Sequence, residues 1–278
     1  MLVIPEANQG IVPAGTLPYR SFKESEAIKV AVDVSSKGNQ AKWKTIDGKF
    51  YIKELFYCDY QTWKDNMVEV IASRYAALCK LPAGMSVVRQ GLCDIDGRPA
   101  SYSEAFDFDD SYYVSYYRLR ESWLHKWDDP RGTHEEIAQQ IISDCSDFAG
   151  HDVSDYLHTM FFLDCIVSNE DRHLNNFGFV CRPDASLEFS PLFDFGLGLF
   201  ECGDEYCKHK ARMSIPKVRL KPCWFTQKQL VSYLLDNSNI ANIAPDVVRL
   251  SDFKFPNKLA RHYFVWVNER LGVKVVED

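Results

Sequence analysis

No apolar run in this chain reaches the roughly 18 residues that a membrane-spanning helix needs. The best candidate is interrupted by Asp164. The opening residues, Met1-Leu2-Val3-Ile4-Pro5-Glu6, have neither the charged region nor the long apolar core of a signal peptide. Cys-x-x-Cys pairs are missing too. The nine cysteines are scattered and odd in number, and Cys202 and Cys207 flank Gly-Asp-Glu-Tyr too much alone to make a zinc site. Free, mostly buried thiols are expected. Positive charge is not in excess: the formal charge of -7 argues against broad or sequence-specific nucleic-acid binding through phosphates. There is no internal repeat and no low-complexity segment. These absences point to a protein of the cytoplasm, without a membrane role.

The 278 residues, 46% of them hydrophobic, suffice for one large core or two lobes. Ala27 to Asp33 alternates as a strand. Ala41 to Ile46 and Lys49 to Phe56 flank Asp47-Gly48, a hairpin signal. Asn66 to Leu81 reads as a helix, with Met67, Val70, Ile71, Tyr75 and Leu78 on one stripe before Pro82. Met85 to Cys93 and Pro99 to Phe106 read as further strands. After Asp107 the character changes. Thr133 and Glu136 form a capping box for a helix reaching Phe148, and Ser154 to Val167 is a very apolar helix. Phe177 to Cys181 and Leu187 to Pro191 form a hairpin. Thr226 to Leu235 and Pro256 to Leu271 are late helices. The expectation is an α+β chain of two lobes, a strand-rich front at residues 1–105 with one helix and a mostly helical back at 106–278, joined near Ser103 to Phe108 with a cleft between.

The residues that carry chemistry lie in Ser168-Asn169-Glu170-Asp171-Arg172-His173-Leu174-Asn175-Asn176 and in Asp194-Phe195-Gly196. Asp-x-x-x-x-Asn followed by Asp-Phe-Gly supplies what phosphoryl transfer requires: one carboxylate to orient and deprotonate an acceptor, and an amide and a second carboxylate to hold Mg²⁺ on nucleotide phosphates. Asp171 is the candidate base. Asn176 and Asp194, both hard oxygen donors, are the candidate metal ligands. The hairpin between them carries the chain away and back to one spot. Arg172 and His173 are read as braces that bond nearby backbone carbonyls. A His-Asp metal site is a rival that would want another ligand at helical or hairpin spacing; none appears in the sequence, and it ranks well below.

A cation for the phosphates is also needed. In Phe50-Tyr51-Ile52-Lys53-Glu54-Leu55, alternation puts Tyr51, Lys53 and Leu55 on one face. Lys53 then points into the cleft, and Glu69 on the next helix is its candidate partner. The turn Ser36-Lys37-Gly38-Asn39-Gln40-Ala41-Lys42 offers backbone N–H groups to phosphate, with Gly38 permitting close approach, although it is not a Walker A loop. Lys208, Lys210, Arg212, Lys217, Arg219 and Lys221 form a basic stretch without an acidic residue. It is either a solvated face, the reading placed first, or a contact for an acidic or phosphate-bearing substrate.

On Asn169 to Gly178, on Ser190-Pro191-Leu192-Phe193-Asp194, and on the turn Ser36-x-Gly38-x-Gln40-x-Lys42, with the Lys53 strand and Glu69 helix in order, the chain resembles the HipA-like kinases. The resemblance implies a protein-kinase-like fold and ATP- and Mg²⁺-dependent phosphorylation of protein serine or threonine, the protein itself included. It implies Asp171 as catalytic residue, Asn176 and Asp194 as Mg²⁺ ligands, and Lys53 as the ATP-phosphate lysine. Ser36, Gly38, Gln40 and Lys42 would form the phosphate loop, with Ser35 or Ser36 as a regulatory phosphoserine. Ser103, Glu104 and Ala105 would be the hinge that bonds adenine through backbone groups. An antitoxin-like partner and toxin-like growth regulation come with the family. Full-length members carry an extra N-terminal subdomain. With the first strand placed at Ala27, the compact form, the kinase core alone, is expected.

The order Asp-Arg-His reverses the His-Arg-Asp of ordinary eukaryotic protein kinases and also occurs in phosphoinositide lipid kinases. A lipid or small-molecule kinase on the same fold, and a catalytically silent nucleotide-binding module, therefore stand as alternatives.

Overall fold

In the computed structural model the described residues are 14–30, 41–55, 57–58, 61–62, 65–106, 111–200 and 219–277. The front of the chain supplies strands β1 (Arg20–Phe22), β2 (Ala27–Lys29), β3 (Lys42–Thr45), β4 (Phe50–Glu54), β5 (Tyr57–Cys58) and β6 (Gln61–Thr62), helix α1 (Asp65–Ala76), and strands β7 (Gln90–Ile95) and β8 (Arg98–Glu104). Six of these strands form one sheet in the order β1-β7-β8-β4-β3-β2. The β3–β4 hairpin closes where the sequence places it. Gly48 takes φ +73, and Asp47 Oδ1 accepts from the Lys49 amide at 3.1 Å. One face of the sheet buries Trp43, Ile52, Cys93, Ile95, Ala100 and Tyr102 as a small core of its own. Alternation therefore turns Lys42 and Lys53, which face each other across β3 and β4, to the opposite face.

The back of the chain carries β9 (Tyr112–Ser115), α2 (Tyr116–Ser122), α3 (His134–Ala149), α4 (Ser154–Val167), β10 (Gly178–Cys181), β11 (Leu187–Phe189), β12 (Arg219–Leu220), β13 (Phe225–Thr226), α5 (Gln227–Asn237), β14 (Val247–Arg249), α6 (Lys258–Arg270) and β15 (Lys274–Val276). Every residue of α4 from Tyr156 to Val167 is buried. A helix apolar all round belongs at the centre, and each of Phe161, Phe162, Leu163 and Ile166 contributes on the order of 1.5–3 kcal/mol by leaving water. Helix α3 starts at the predicted capping box, with Thr133 and Glu136 each satisfying the other's backbone N–H. A second capping box, Thr226 with Gln229, starts α5.

The architecture is the two-lobed α+β plan expected: a curled, strand-rich lobe with one helix, and a mostly helical lobe. The boundaries moved in places. Helix α1 ends at Ala76 rather than Leu81, because the Leu78 and Cys79 amides turn back to the Tyr75 and Ala76 carbonyls and tighten the chain. The strand expected from Met85 begins at Gln90. The residues before it instead bond across the lobes, with Val88 N donating to Leu192 O and Leu192 N to Ser86 O. Strand β9 and helix α2 lie outside the expected elements, and β1 precedes the strand expected to be first, at Ala27, by pairing parallel to β7. Although α1 follows the sheet in sequence, its Val68, Ile71, Ala72, Tyr75 and Ala76 belong to the large core with α4. Its Tyr75 hydroxyl donates to Asn268 Oδ1 of α6 at 2.7 Å. Among the described residues, no helix is long and apolar enough to cross a membrane, and Cys79, Cys93, Cys145, Cys165, Cys181 and Cys223 are free thiols.

Candidate active site

Helix α4 stops at Ser168, which adopts φ +49, and the loop after it is wound tightly on its own polar groups. Asn169 Nδ2 donates back to Asp164 Oδ1 at 2.9 Å, and Asn169 Oδ1 accepts from the Asp171 amide at 3.2 Å. The His173 amide donates to Asp171 O at 2.7 Å, and the Asn176 amide to His173 O at 2.9 Å. Arg172 is fully buried. Its Nε and Nη2 grip Asp164 at 2.9 and 2.8 Å, and its Nη1 donates to the carbonyls of Asn176, at 3.0 Å, and Phe193. Its guanidinium lies 4.5 Å from the centre of the Phe195 ring. One side chain thus ties the end of α4, the loop, and the strand leading to Asp194.

This clamp sets the spacing of the two oxygen donors. The β10–β11 hairpin returns the chain, and Asn176 Nδ2 donates to Asp194 Oδ2 at 3.1 Å across 18 residues. Asp194 holds φ +60, an uncommon backbone for a non-glycine residue, kept by the bonds around it. Its other oxygen accepts from Lys53 Nζ at 2.9 Å. Lys53 also reaches Glu69 Oε1 at 3.4 Å, and Glu69 Oε2 accepts from the Phe195 amide at 3.0 Å. Strand β4, helix α1 and the Asp-Phe-Gly segment therefore meet at one lysine. Gly196 leaves room for this: a Cβ there would stand 3.2 Å from Glu69 Oε1 and 3.4 Å from Lys53 Nζ.

The charges follow. Burial alone would raise the Asp194 carboxyl, but the Lys53 and Lys42 ammonium groups outweigh it and hold Asp194 well below the usual carboxylate range. Burial works against the charged form of Lys53, yet Asp194, Glu69 and Asp65 together raise its pKa well above the ordinary lysine value. Glu69 is pushed up by burial, with Lys53 opposing. His173 is pushed down by burial, against the pull of Asp171.

Asp171 lies on the open side, about one third exposed. Its Oδ1 accepts from Lys221 Nζ at 2.6 Å, and its Oδ2 stands 4.0 Å from His173 Nε2. Asp171, Asn176, Asp194, Lys53 and Glu69 are thus brought together, with Lys42 beside Lys53. Ser35, Ser36, Gly38 and Gln40 lie outside the described residues. The three residues expected as the hinge lie at the end of the sheet. Ser103 and Glu104 are strand residues of β8, paired with β4, and the Ala105 amide donates to Lys49 O at 2.8 Å. That N–H is used just past the end of β8, on the carbonyl that precedes β4. Phe106 follows and packs its ring on Tyr113 and Phe193.

Two participants had no reading of their own in the sequence. Asp164 looked like a break in an apolar helix. A lone acid in such a helix, eight residues before an arginine, was the signal for a buried pair. Lys221 was one member of a basic stretch, and nothing local marked it from the others.

A curled sheet with a lysine strand and a glutamate helix, set over a helical lobe that presents Asp171, Asn176 and Asp194, is a protein-kinase-like fold. No family model matches the chain, and no curated protein matches it. Among solved structures it is similar to the Helicobacter pylori proinflammatory kinase CtkA, with a TM-score of 0.58 and 13% identity over 91% of this chain and 94% of that one. HipA in the Shewanella oneidensis toxin–antitoxin complex with HipB and operator DNA matches over 87% of this chain and 57% of that one, with a TM-score of 0.43 and 13% identity. A Leishmania major MAP kinase gives a TM-score of 0.27 at 9% identity, over 89% of this chain and 78% of that one.

Proposed function

We propose that this chain is an ATP-dependent protein serine/threonine kinase of the HipA-like type that phosphorylates itself or a protein partner. The observation that carries the reading is the meeting of Lys53, Asp194 and Asn176, with Asp171 on the open side of the same cluster. Two hard oxygen donors within one hydrogen bond of each other, one buried and one partly exposed, suit Mg²⁺, which keeps several waters and takes the rest of its ligands from phosphate. The residues fit, with Asn176 turning its amide so that Oδ1 joins Asp194 as a donor. When bound, the ion neutralises charge on the β- and γ-phosphate oxygens.

The chain's own residues do the remainder. Lys53, anchored by Glu69, places a cation on the non-transferred phosphates of ATP, and Lys42 lies beside it. Asp171 orients the acceptor hydroxyl and takes its proton as the O–P bond forms. Arg172 keeps the loop rigid, so that Asp171 and Asn176 hold their separation. Residues 1–105 act as the nucleotide lobe and 106–278 as the acceptor lobe. Ser103, Glu104 and Ala105 act as the hinge that bonds adenine through backbone groups. The solved kinase CtkA supports the fold; the HipA-like type rests on the motifs in this sequence. An antitoxin-like partner protein belongs to the same reading.

Incubation with ATP and Mg²⁺, followed by mass spectrometry of the protein, tests it. Phosphoserine or phosphothreonine is expected on the wild type, reduced about 10²–10⁴-fold in Asp171→Asn and lost in Asp194→Asn. Equal labelling of wild type and variants would sink the site assignment. Labelling of lipids or metabolites alone would turn the reading to a small-molecule kinase, and binding without transfer to a silent module.

A further inference from the structure

Lys221 reaches Asp171 from a part of the chain far beyond the catalytic loop. Its Nζ stands 2.6 Å from Asp171 Oδ1, with the two side chains 36% and 34% exposed. An exposed pair of this kind stabilises a fold very little, so its place at the candidate base asks for another explanation. The lysine is not a loose surface residue. It follows β12 directly and sits on a turn held down by buried Leu220, Cys223 and Phe225, with Leu220 paired to Phe225. The Cys223 carbonyl is in turn bonded to His134 Nδ1 of α3 at 2.9 Å. A rigid platform therefore presents one ammonium to one carboxylate oxygen.

Among the described residues, two more lysines stand at this cluster. Lys53 is held between Asp194 and Glu69, and Lys42 faces it across the sheet. Both serve the nucleotide side. Nothing in that set offsets the charge that builds on the acceptor side, where an ionised Asp171 would stand next to three negative equatorial oxygens. An ammonium carries three N–H donors. Lys221 can give one to Asp171 Oδ1 and still give another to a phosphoryl oxygen, leaving Asp171 Oδ2 for the acceptor hydroxyl.

We infer that Lys221 is a further catalytic residue, the acceptor-side cation that orients Asp171 and donates to the transferring phosphoryl group. The inference rests on the phosphotransferase reading. In the step itself, the acceptor oxygen bonds to the γ-phosphorus and its proton passes to Asp171. The bond from that phosphorus to the β,γ-bridging oxygen breaks, and ADP leaves with the electron pair. Lys221 keeps its proton throughout.

The test compares wild type, Lys221→Met and Lys221→Arg in single-turnover autophosphorylation with ATP and Mg²⁺. Alongside, it measures binding of MgADP with and without aluminium fluoride, a mimic of the planar phosphoryl group. Lys221→Met is expected to slow transfer about 10²–10³-fold, the usual loss for one preorganised donor. ATP affinity should stay within about twofold, and the gain in affinity from aluminium fluoride should disappear. Lys221→Arg should recover most of the rate, because it keeps the charge. Transfer by Lys221→Met at close to the wild-type rate overturns the inference alone. So does a loss matched by equal loss of ATP affinity, or a Lys221→Met protein that melts well below wild type. A wild type that transfers no phosphate to itself or to any acceptor overturns the phosphotransferase reading, and this inference with it.

Discussion

Asn176 Nδ2 and Asp194 Oδ2 lie 3.1 Å apart, so the β10–β11 hairpin ends with its two oxygen-bearing side chains in contact. Removing either donor should act on the metal rather than on the fold. Asn176→Ala is expected to raise the Mg²⁺ concentration for half-maximal transfer by at least about tenfold, with little change in melting temperature. Titrating Mg²⁺ in the autophosphorylation assay reads this directly, and a chelator should abolish transfer in both proteins. An unchanged Mg²⁺ requirement would remove Asn176 from the ligand set.

The Lys53–Asp194 contact gives a pH-dependent signature. Asp194 is held below the usual carboxylate range, since burial is outweighed by Lys53 and Lys42. A depressed carboxyl contributes stability above its unfolded value, about 3.9, and that contribution is lost as pH falls toward the folded value. Lys53→Met removes the main opposing charge, and burial then raises Asp194. Urea unfolding should therefore show wild type ahead of Lys53→Met at neutral pH, with the gap closing as pH falls from about 4 toward about 3. A gap that stays constant down to that pH would show that the ion pair does not govern Asp194.

Arg172 and Asp164 form a buried pair, with exposures of 0% and 2%. Burial raises the Asp164 carboxyl, and Arg172 opposes that rise. Arg172→Met should cost about 3–5 kcal/mol in chemical denaturation, because it strands a buried carboxylate and frees two loop carbonyls. The double variant Arg172→Met with Asp164→Leu should recover part of that stability without restoring phosphoryl transfer. If the single variant unfolds at the wild-type urea concentration, the clamp is not what holds the loop.

Gly178, where the β10–β11 hairpin begins, pairs with Ser115 of β9. A Cβ at this position would lie 2.1 Å from the Val114 carbonyl oxygen. Something in the backbone must move, and Gly178→Ala should cost more than about 3 kcal/mol while also lowering transfer. Denaturation and the labelling assay together check both effects. A wild-type melting profile would show that β9 can yield.

Much of the fold is legible in the chain because it is written in local periods. The Asp47-Gly48 hairpin, the Thr133 capping box and the Ser154 to Val167 helix each depend on residues a few positions apart, and all three stand where the pattern puts them. Alternation along β4 likewise places Lys53 on the face away from Ile52. Where local pattern and tertiary contact compete, the second prevails. Met85 to Val88 have the composition of a strand, but their backbone is used against Ser86–Leu192 and Val88–Leu192 contacts between the lobes.

The sequence by itself determined which residue types could meet: a carboxylate and amide on one loop, a second carboxylate past a hairpin, and a lysine on a strand with apolar faces. Only the tertiary structure decided their partners. It made Asp164 the anchor of Arg172, put Glu69 on a helix rooted in the large core, and set Lys221 against Asp171. Lys221 lies 50 residues from Asp171, and Lys53 lies 141 from Asp194. Over such separations no period of helix or strand links two side chains. Their meeting is fixed by how the lobes pack, and that is a property of the whole core.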